Sequence, residues 1–424
     1  MSHSIAQRRF SSYRIAAWAM MLILVASING CREREFISSP PVAVPAAVTQ
    51  DNWIRVLLAK DVKSCTIMIP SSYEILDTAS GVSLGKFLKN VGPSTTTIAL
   101  GQLSIGGKTF SNKQITIKPD QPFVFYISDK GYRGELRLIV STDGTLFDII
   151  NNVPLETYLA GVVGAEMPSY WEPESLKAQA IASRTYCLYV KKRFGWQRSW
   201  DVNKTQANQM YLGLEAESPK VWDAVSRTDG QVLTCRDNSG KVGIFPTYFS
   251  SVCGGHTEDS KNVFGDSYSP LCGVECPWCQ QVAARDMFFW PMVKYDKTYV
   301  TSQLTAKYPS LAKLGSISNI LVDKTDDCAG FLRITNVKLI GANGQTDSLH
   351  AEDLRLTIDP TGRKIRSTIC KITVVGQTVT FFSGRGFGHG VGLCQYGSQG
   401  MARQGTVAKN ILAHYYPGAS ITKL

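Results

Sequence analysis

The feature that most restricts the backbone of this chain is a glycine-rich run near its C-terminus. Residues Gly384 to Gly392 contain five glycines and one histidine, and Gln395 and Tyr396 follow soon after. Glycine at this density admits turns with positive φ, or lets backbone amides approach a ligand closely. The spacing fits neither the Walker A loop nor the dinucleotide-binding fingerprint. Taken alone, the run could equally be a tight turn that caps a helix, so the rest of the chain must decide.

Composition and charge describe an ordinary globular protein with a basic surplus. The 424 residues are 44% hydrophobic and 19% charged, which is enough apolar material for a sizeable core. The formal net charge of +11 favours an anionic partner such as a cell-wall polymer or a lipid surface. We recognise no Lys/Arg block and no basic helix with interleaved aromatic residues, so we expect no nucleic acid partner. Solubility alone is the simpler explanation of the charge.

The N-terminal segment has the pattern of an export signal. Arg8, Arg9 and Arg14 precede an apolar run, residues 15–28, which is short for a bilayer crossing but suits a signal-peptide core. A small residue directly before Cys31 resembles a bacterial lipoprotein processing site, at which Cys31 would be lipidated. A plain secretory signal and an uncleaved anchor are the alternatives. We therefore expect an exported protein of the bacterial cell envelope, anchored at the membrane and facing the cell wall.

The remaining chain predicts an α+β fold. Residues 1–31 are assigned to the signal segment and 32–51 to a linker containing Ser and Pro. Residues 52–150 contain short β-like segments between Gly- and Ser-containing turns. From residue 151 the hydrophobic period becomes helical, and we expect helices over 155–163, 173–193 and 406–415, the last with Thr406 as N-cap. The prediction is a β-rich part, 52–150, packed on a mixed core, 151–424, with a zinc-loop insertion.

Three segments together carry a family resemblance that none of them carries alone. They are Val153–Pro168 with the following Glu174–Tyr186, then Phe249–Thr257, and finally Gly384–Gly400 with His414–Gly418. In this order and spacing the chain resembles the SpoIID/LytB family of peptidoglycan-active proteins, over roughly residues 52–424. The resemblance implies a lytic transglycosylase that cleaves the β-1,4 bond between N-acetylmuramic acid and N-acetylglucosamine and leaves a 1,6-anhydro sugar. It also implies a preference for glycan strands whose stem peptides an amidase has removed.

The catalytic glutamate of the resembling family falls on Glu166. Ordinary glycosidases need two carboxyl groups, but here the C6 hydroxyl of the muramic acid is the nucleophile, so one carboxyl can serve first as acid and then as base. That role requires a pKa raised by apolar surroundings, and Val163, Met167 and Tyr170 are near in the chain. The alternative is that Glu166 caps the next helix or forms a salt bridge.

Other polar side chains of the three segments are candidates for sugar binding. Arg184 could pair with a sugar carboxyl group through its planar guanidinium, although a structural salt bridge explains it equally well. His389 could bind substrate or could satisfy a backbone carbonyl. The remaining candidates, each of which could also be an ordinary packed polar residue, are Gln179, Ser251, Gln395 and Tyr396.

A separate pattern predicts a metal site. Cys253 and His256 form a C-x2-H pair, and Cys276 and Cys279 form a C-x2-C pair about twenty residues later. These four residues could complete a closed tetrahedral zinc site, with Cys272 as a spare ligand. A disulfide between two of the cysteines is the competing interpretation in an oxidising compartment. Because four protein ligands leave no open position, we expect a structural zinc ion that shapes the cleft beside Ser251.

Two functions from other classes compete with the transglycosylase. Some proteins of the resembling family are amidase enhancers, which bind glycan and stimulate an N-acetylmuramoyl-L-alanine amidase without cutting glycan themselves. An intact Glu166-Met-Pro168 element argues for catalysis instead. A zinc-dependent amidase is the least favoured, because hydrolytic zinc sites are usually richer in His and carboxylate ligands.

Overall fold

A computed structural model describes residues 52–424, except residues 90, 91, 238 and 329. The predicted signal segment, the linker and the lipidation candidate Cys31 lie outside the described residues. Within the described part, none of the helices has both the length and the apolar character that crossing a bilayer requires.

Strands up to residue 154 form two sheets, and the larger sheet takes in one later strand. Apolar residues alternate along them, as in β1, where Ile54 and Val56 are buried, so that each sheet has one face in the core. The strands are β1 (Trp53–Val62), β2 (Ser64–Met68), β3 (Tyr73–Asp77), β4 (Ser83–Phe87), β5 (Ser94–Ala99), β6 (Gln102–Ile105), β7 (Lys108–Phe110), β8 (Gln114–Pro119), β9 (Val124–Ile127), β10 (Lys130–Arg133), β11 (Glu135–Val140), β12 (Phe147–Pro154) and β13 (Val202–Asn203). Among described strands the sheet orders are β13-β1-β12-β11-β8-β3-β4 and β10-β9-β2-β5-β6-β7.

Two helices follow the sheets directly and form the centre of the molecule. They are α1 (Leu155–Glu166) and α2 (Pro173–Phe194). Pro154 precedes α1 as its N-cap and Pro173 opens α2, positions where the missing backbone N–H costs no helical hydrogen bond. The face of α2 predicted to be apolar is buried, and the rest of its first five turns is largely buried as well. Both helices extend slightly beyond their predicted ends.

The middle of the chain adds shorter elements around α2. They are α3 (Pro219–Arg227), β14 (Gln231–Arg236), β15 (Val242–Ile244), β16 (Phe249–Ser250), α4 (Ser260–Val263) and α5 (Trp278–Val282). Their buried side chains join those of the two sheets, α1 and α2 in one continuous hydrophobic core.

Residues 285–385 form a lobe with a hydrophobic core of its own. Its elements are α6 (Arg285–Phe288), β17 (Phe289–Trp290), β18 (Val293–Asp296), α7 (Lys297–Lys307), β19 (Ile317–Cys328), β20 (Phe331–Gly341), β21 (Thr346–His350), α8 (Ala351–Ile358), β22 (Ile369–Val375) and β23 (Thr378–Arg385). β22 and β23 form a hairpin, because Gly376 between them takes a positive φ of 56° and turns the chain. The observed mixture of helices and sheets confirms the α+β prediction.

The C-terminal elements return to the main core. They are β24 (Leu393–Cys394), α9 (Gln395–Arg403), α10 (Ala408–Tyr415) and β25 (Ser420–Lys423). The prediction of Thr406 as an N-cap is wrong. The helix begins at Ala408, whose N–H donates to Glu174 Oε2 of α2 at 2.8 Å, while the N–H of Thr406 bonds back to Met401. A distant carboxylate thus supplies the cap that we expected from a local hydroxyl.

Candidate active site

Glu166 is the last residue of α1. Pro168 disfavours helical backbone at the residue before it, and Met167 is accordingly extended, with φ −130° and ψ 143°. The helix therefore stops at Glu166 and leaves its carboxyl at the end of a rigid, buried element. The side chain is only partly exposed, and both Val163 and Met167 beside it are buried.

Two donors from distant parts of the chain hold the Glu166 carboxylate. The backbone N–H of Met210 donates to Oε1 at 2.7 Å, and Gln395 Nε2 donates to Oε2 at 3.2 Å. Burial raises the pKa of Glu166, and these two hydrogen bonds oppose that rise without cancelling it. The negative end of the α1 dipole acts in the same direction as burial. The carboxyl is therefore able to keep a proton at higher pH than an ordinary glutamate.

Two glycines in α1 allow the Met210 segment to reach Glu166. A side chain on Gly161 would collide with the ring of Tyr211, and one on Gly164 would collide with the backbone of Ala216. The N–H of Leu212 donates to the Gly161 carbonyl at 3.2 Å, which fixes the approach. We did not predict a role for Met210 from the sequence. The spacing of the two glycines, one turn apart in a helix, is the signal that could have indicated a close contact at this face.

The glycine-rich run reaches Glu166 through a short parallel pair of strands. Phe249 pairs with Leu393, and Ser250 with Cys394, so that α9 begins beside the end of β16. Gln395, the first residue of α9, contacts the Glu166 carboxylate. The backbone N–H of Tyr396 donates to the Ser251 carbonyl at 3.1 Å.

Aromatic side chains stand close to this meeting point. The ring of Tyr396 packs edge-on against Trp171, with 4.9 Å between centroids. Tyr170, which we expected to help desolvate Glu166, is 74% exposed instead. It follows Glu166 by four residues, and its amphipathic ring is open to contact from solvent.

Two of the predicted sugar ligands are fully buried. Arg184 forms an ion pair with Glu156, through Nε–Oε1 at 2.8 Å and Nη2–Oε2 at 2.5 Å, and its Nη1 donates to the Gln231 carbonyl at 3.0 Å. Gln179 donates to Ser183 within α2 at 2.9 Å. Because neither side chain has any exposed surface, neither reaches a ligand in this structure. The structural salt bridge is the interpretation of Arg184 that these contacts favour.

His389 is also engaged by its own loop. Its Nδ1 accepts a hydrogen bond from the Val391 N–H at 3.0 Å, and its ring packs against Phe264 with 5.0 Å between centroids. Burial lowers the pKa of His389 to about 4, so the imidazole is neutral at physiological pH. The Nδ1 contact is with a backbone N–H, whereas the alternative to substrate binding that we expected was a contact with a backbone carbonyl.

Four buried thiols converge behind the start of α9. They belong to Cys253, Cys276, Cys279 and Cys394, and their sulfur atoms all lie within 4.8 Å of one another. The cysteines are free, and the contact between Cys253 Sγ and Cys279 Sγ is a non-bonded 3.7 Å. We call these four residues the cysteine group.

Three of the four predicted ligands belong to the cysteine group, and the fourth thiol there is that of Cys394, whereas His256 lies outside the group. Gly254 and Gly255 have φ values of 86° and 116° and turn the chain after Cys253. His256 then forms a β-bridge with Glu275, and its Nδ1 lies 2.5 Å from the Thr257 carbonyl.

Cys394 arrives from the far end of the chain through the pairing of β24 with β16. Sequence spacing cannot show such a long-range pairing, although Cys394 follows the glycine-rich run by only two residues. The spare candidate Cys272 is exposed and lies outside the cysteine group.

The cysteine group fits a tetrahedral metal ion such as Zn²⁺. Four soft sulfur ligands in a closed, buried arrangement are typical of structural zinc sites. Cys394 Sγ accepts hydrogen bonds from the N–H groups of Cys253 and Gly397, at 3.3 and 3.4 Å, as outer-shell donors to metal-bound thiolates do. A side chain at Gly397 would collide with Cys276 Sγ, so this glycine makes room for the group.

Comparison with known proteins identifies the family. The sequence profile of the SpoIID family, described as Stage II sporulation protein, matches residues 143–235. The chain is 34% identical over 297 residues to an uncharacterized protein of Brachyspira hyodysenteriae, an alignment that covers 70% of this chain and 74% of that protein. It is 29% identical to Stage II sporulation protein D of Bacillus subtilis, over 65% of this chain and 76% of that protein. The chain belongs to the SpoIID family.

A further relative carries a different name. The Amidase enhancer of Bacillus subtilis is 25% identical over 95% of this chain, which spans 59% of that longer protein. The part matched by the SpoIID profile contains α1, α2 and Glu166, whereas the cysteine group and the glycine-rich run lie outside it. In this SpoIID-family chain the Glu166 site is therefore completed by segments beyond the profile match.

Proposed function

We propose that this SpoIID-family chain is a lytic transglycosylase that cleaves the β-1,4 bond between N-acetylmuramic acid and N-acetylglucosamine in peptidoglycan glycan strands. The observation that carries the proposal is the Glu166 carboxyl, partly buried at a helix end and with a raised pKa. A carboxyl with a raised pKa keeps its proton to higher pH than an ordinary glutamate, and its partial exposure still lets it meet a ligand.

In the proposed reaction Glu166 is both acid and base. Its carboxyl gives its proton to the bridging oxygen as the bond between that oxygen and C1 of the muramic acid breaks. The C6 hydroxyl oxygen of the same sugar bonds to C1, and the Glu166 carboxylate accepts the C6 hydroxyl proton. The products are a 1,6-anhydro end and a free hydroxyl on the leaving sugar, and Glu166 returns to its protonated state.

The surroundings of Glu166 suit a mechanism with one carboxyl group. Two neighbouring acids along the chain are engaged elsewhere, since Glu156 pairs with Arg184 and Glu174 pairs with Lys177, and a third, Glu172, is exposed. Met210 N–H and Gln395 Nε2 hold the carboxylate after proton transfer, when it must wait for the C6 hydroxyl proton. An anhydro-forming reaction needs no activated water and hence no second carboxyl.

The test is the conservative Glu166→Gln variant on purified glycan strands, with and without stem peptides. We expect a loss of about 10²–10⁴-fold in the release of 1,6-anhydro ends, detected by mass spectrometry, because a general acid contributes about that much. Glu172→Gln is the matched control, since Glu172 is exposed and only six residues away. Unchanged release by Glu166→Gln would refute the catalytic role.

The second candidate function is a glycan-binding amidase enhancer, and the similarity to the Bacillus subtilis Amidase enhancer favours it. The same variant separates the two. If the chain is an enhancer, Glu166→Gln should still stimulate a purified N-acetylmuramoyl-L-alanine amidase on intact peptidoglycan, and the wild-type protein should release no anhydro ends. If the chain is a transglycosylase, the wild-type protein releases 1,6-anhydro ends and Glu166→Gln does not.

We also infer that the cysteine group holds a structural Zn²⁺. When bound, the ion would join the Cys253–Cys279 loop to the start of α9 through four thiolate bonds. Cys394 directly precedes Gln395, so the same residues would fix the donor that reaches Glu166. Metal analysis of the purified chain is expected to find about one Zn²⁺ per molecule, and a fully active protein without metal would overturn this inference.

The proposed location is the outer side of the membrane, facing the cell wall. The basic N-terminus, the apolar residues 15–28 and Cys31 support an anchor there, and mass analysis of the mature N-terminus distinguishes a lipidated Cys31 from an unmodified one. The proposed partners are glycan strands and an amidase that prepares them.

A further inference from the structure

The C-terminal end of α2 presents a basic and aromatic surface that the catalytic proposal does not use. Lys192, Arg193, Phe194 and Trp196 are exposed, and Trp196 shows 79% of its surface to solvent. Arg198 stands over the Phe194 ring, with 5.8 Å from its Cζ to the centroid. We call these five residues the α2-end patch. It corrects the expectation that the chain has no basic segment with interleaved aromatic residues.

The charges of this patch are not compensated by nearby acids. Among the described residues, no ion pair involves Lys192, Arg193 or Arg198. Asp201 follows closely in the chain but is fully buried and paired with an arginine of β1. Favourable contact with the helix dipole explains cations in the last turn. It does not explain an exposed Trp196 beyond the helix end, so the patch has the composition of a binding surface.

The patch lies beside the point where the described chain begins. Lys191 Nζ, on the last turn of α2, donates to the Trp53 carbonyl at 2.9 Å, and Trp53 is the first residue of β1. The predicted linker, 32–51, leads directly to this strand. A segment of twenty residues spans at most about 70 Å when fully extended. A membrane anchor before the linker would therefore keep the start of β1, and the patch beside it, within about 70 Å of the bilayer.

The opposite end of α2 lies at the proposed active site. The N–H of Glu172, at the start of α2, donates to Gln399 Oε1 at 2.9 Å, and Gln399 belongs to the same helix, α9, as Gln395. The 22 residues of α2 separate its two ends by about 33 Å. A contact made by the patch thus places the Glu166 end of the molecule well away from the contacted surface.

We propose that the α2-end patch docks on an anionic lipid surface and orients the chain on its membrane. This inference rests on the proposed membrane anchor and goes beyond the proposed catalysis. Lys192 and Arg193 would face lipid phosphates, while Arg198, whose guanidinium donates to the Trp200 and Asp201 carbonyls, would add positive charge at the rim. Phe194 and Trp196 would enter the interfacial region, where such rings concentrate. The central helix then points its other end, with Glu166, away from the bilayer toward the glycan strands.

Hydrogen exchange of the full chain in lipid nanodiscs tests the docking. One set of discs contains phosphatidylcholine alone, and the other contains phosphatidylcholine mixed with phosphatidylglycerol. We expect the amides of residues 194–200 to exchange several-fold more slowly on the anionic discs, and this difference to disappear at high salt. In the Lys192→Glu/Arg193→Glu variant the equilibrium constant for docking on anionic discs should fall by at least about 25-fold, because each basic residue near an anionic surface contributes a factor of about five.

The matched control, Lys307→Glu/Lys371→Glu, reverses the charge of two exposed lysines of the 285–385 lobe. In this variant residues 194–200 should still exchange more slowly on the anionic discs. Circular dichroism and release of anhydro ends verify that both variants are folded, since these side chains lie on the surface. Equal exchange of residues 194–200 on the two kinds of disc would overturn the proposal. The proposal would also be overturned if anionic lipid gave no protection from exchange and Lys192→Glu/Arg193→Glu no longer bound insoluble peptidoglycan. That result would assign the patch to the wall polymer.

Discussion

Replacing Arg184 by Met distinguishes its two interpretations, a sugar ligand or a structural ion-pair partner. The substitution keeps an unbranched side chain of similar length but removes every donor. Arg184 has no exposed surface, and it satisfies both oxygens of Glu156 and the Gln231 carbonyl. The variant would therefore leave a carboxylate and a carbonyl without their donor, and it should destabilise the folded protein.

The expected size of this loss follows from the burial of the two partners. Removing one member of a buried ion pair costs about 3–5 kcal/mol, chiefly because the other charge stays desolvated. The Glu156 side chain keeps 21% exposure and can recover part of its hydration, so the lower end, about 3 kcal/mol, is the appropriate estimate for Arg184→Met. For a chain of this size, with an unfolding entropy of about 0.8 kcal/mol/K, this corresponds to a fall in Tm of about 4 °C.

Thermal unfolding followed by circular dichroism measures the effect, and Arg227→Met is the matched control. Arg227 also pairs with a carboxylate, Asp223, but both side chains are largely exposed, so its Tm should change little. Glu156→Gln combined with Arg184→Met should restore part of the lost stability, because no buried charge then remains unpaired. An Arg184→Met protein with the wild-type Tm and weakened glycan binding would refute the structural interpretation.

Two further predictions concern the acid and the cysteine group. Burial raises the pKa of Glu166, and the acid must start protonated, so kcat/KM should fall as the pH rises through that raised pKa. The fall should therefore occur above the usual glutamate pKa of about 4.3. A pH profile of kcat/KM without this fall would contradict the assignment. The Cys394→Ser variant should lose its bound zinc, measured by elemental analysis, and should have a lower Tm, whereas His256→Ala should keep the metal. Loss of metal in His256→Ala alone would instead support the ligand set expected from spacing.

Local patterns predicted the central helices well because their signals are local. Pro154 and Pro173 mark helix starts, Pro168 marks a stop, and the buried face of α2 follows the helical period. Glu166 was placed by its motif, and its raised pKa agrees with the apolar neighbourhood visible in the sequence. Each of these inferences depends on residues within a few turns of one another.

The predictions that failed depend on contacts between distant segments. Cys394, and not His256, joins the other three thiols because β24 pairs with β16, and α10 takes its cap from Glu174 rather than Thr406. Likewise, Tyr170 is near Glu166 in the chain but faces solvent, whereas Met210 is distant in the chain and contacts the carboxylate. Periodicity and spacing describe one segment at a time, so they cannot report which segments meet.

The Glu166 site depends on one short pair of strands, which a metal ion in the cysteine group would stabilise. The described β16 and β24 pair over only two residues each, and so few ladder hydrogen bonds would hold two segments weakly on their own. Yet this pair sets the position of Gln395 beside Glu166, and residues 251–392 separate its two strands in the chain. Cross-linking Cys253 and Cys394, one on each side of the pair, would offset the entropy of closing that long connection. The need for a metal would then arise from the topology of the chain, while the proposed chemistry belongs to Glu166 alone.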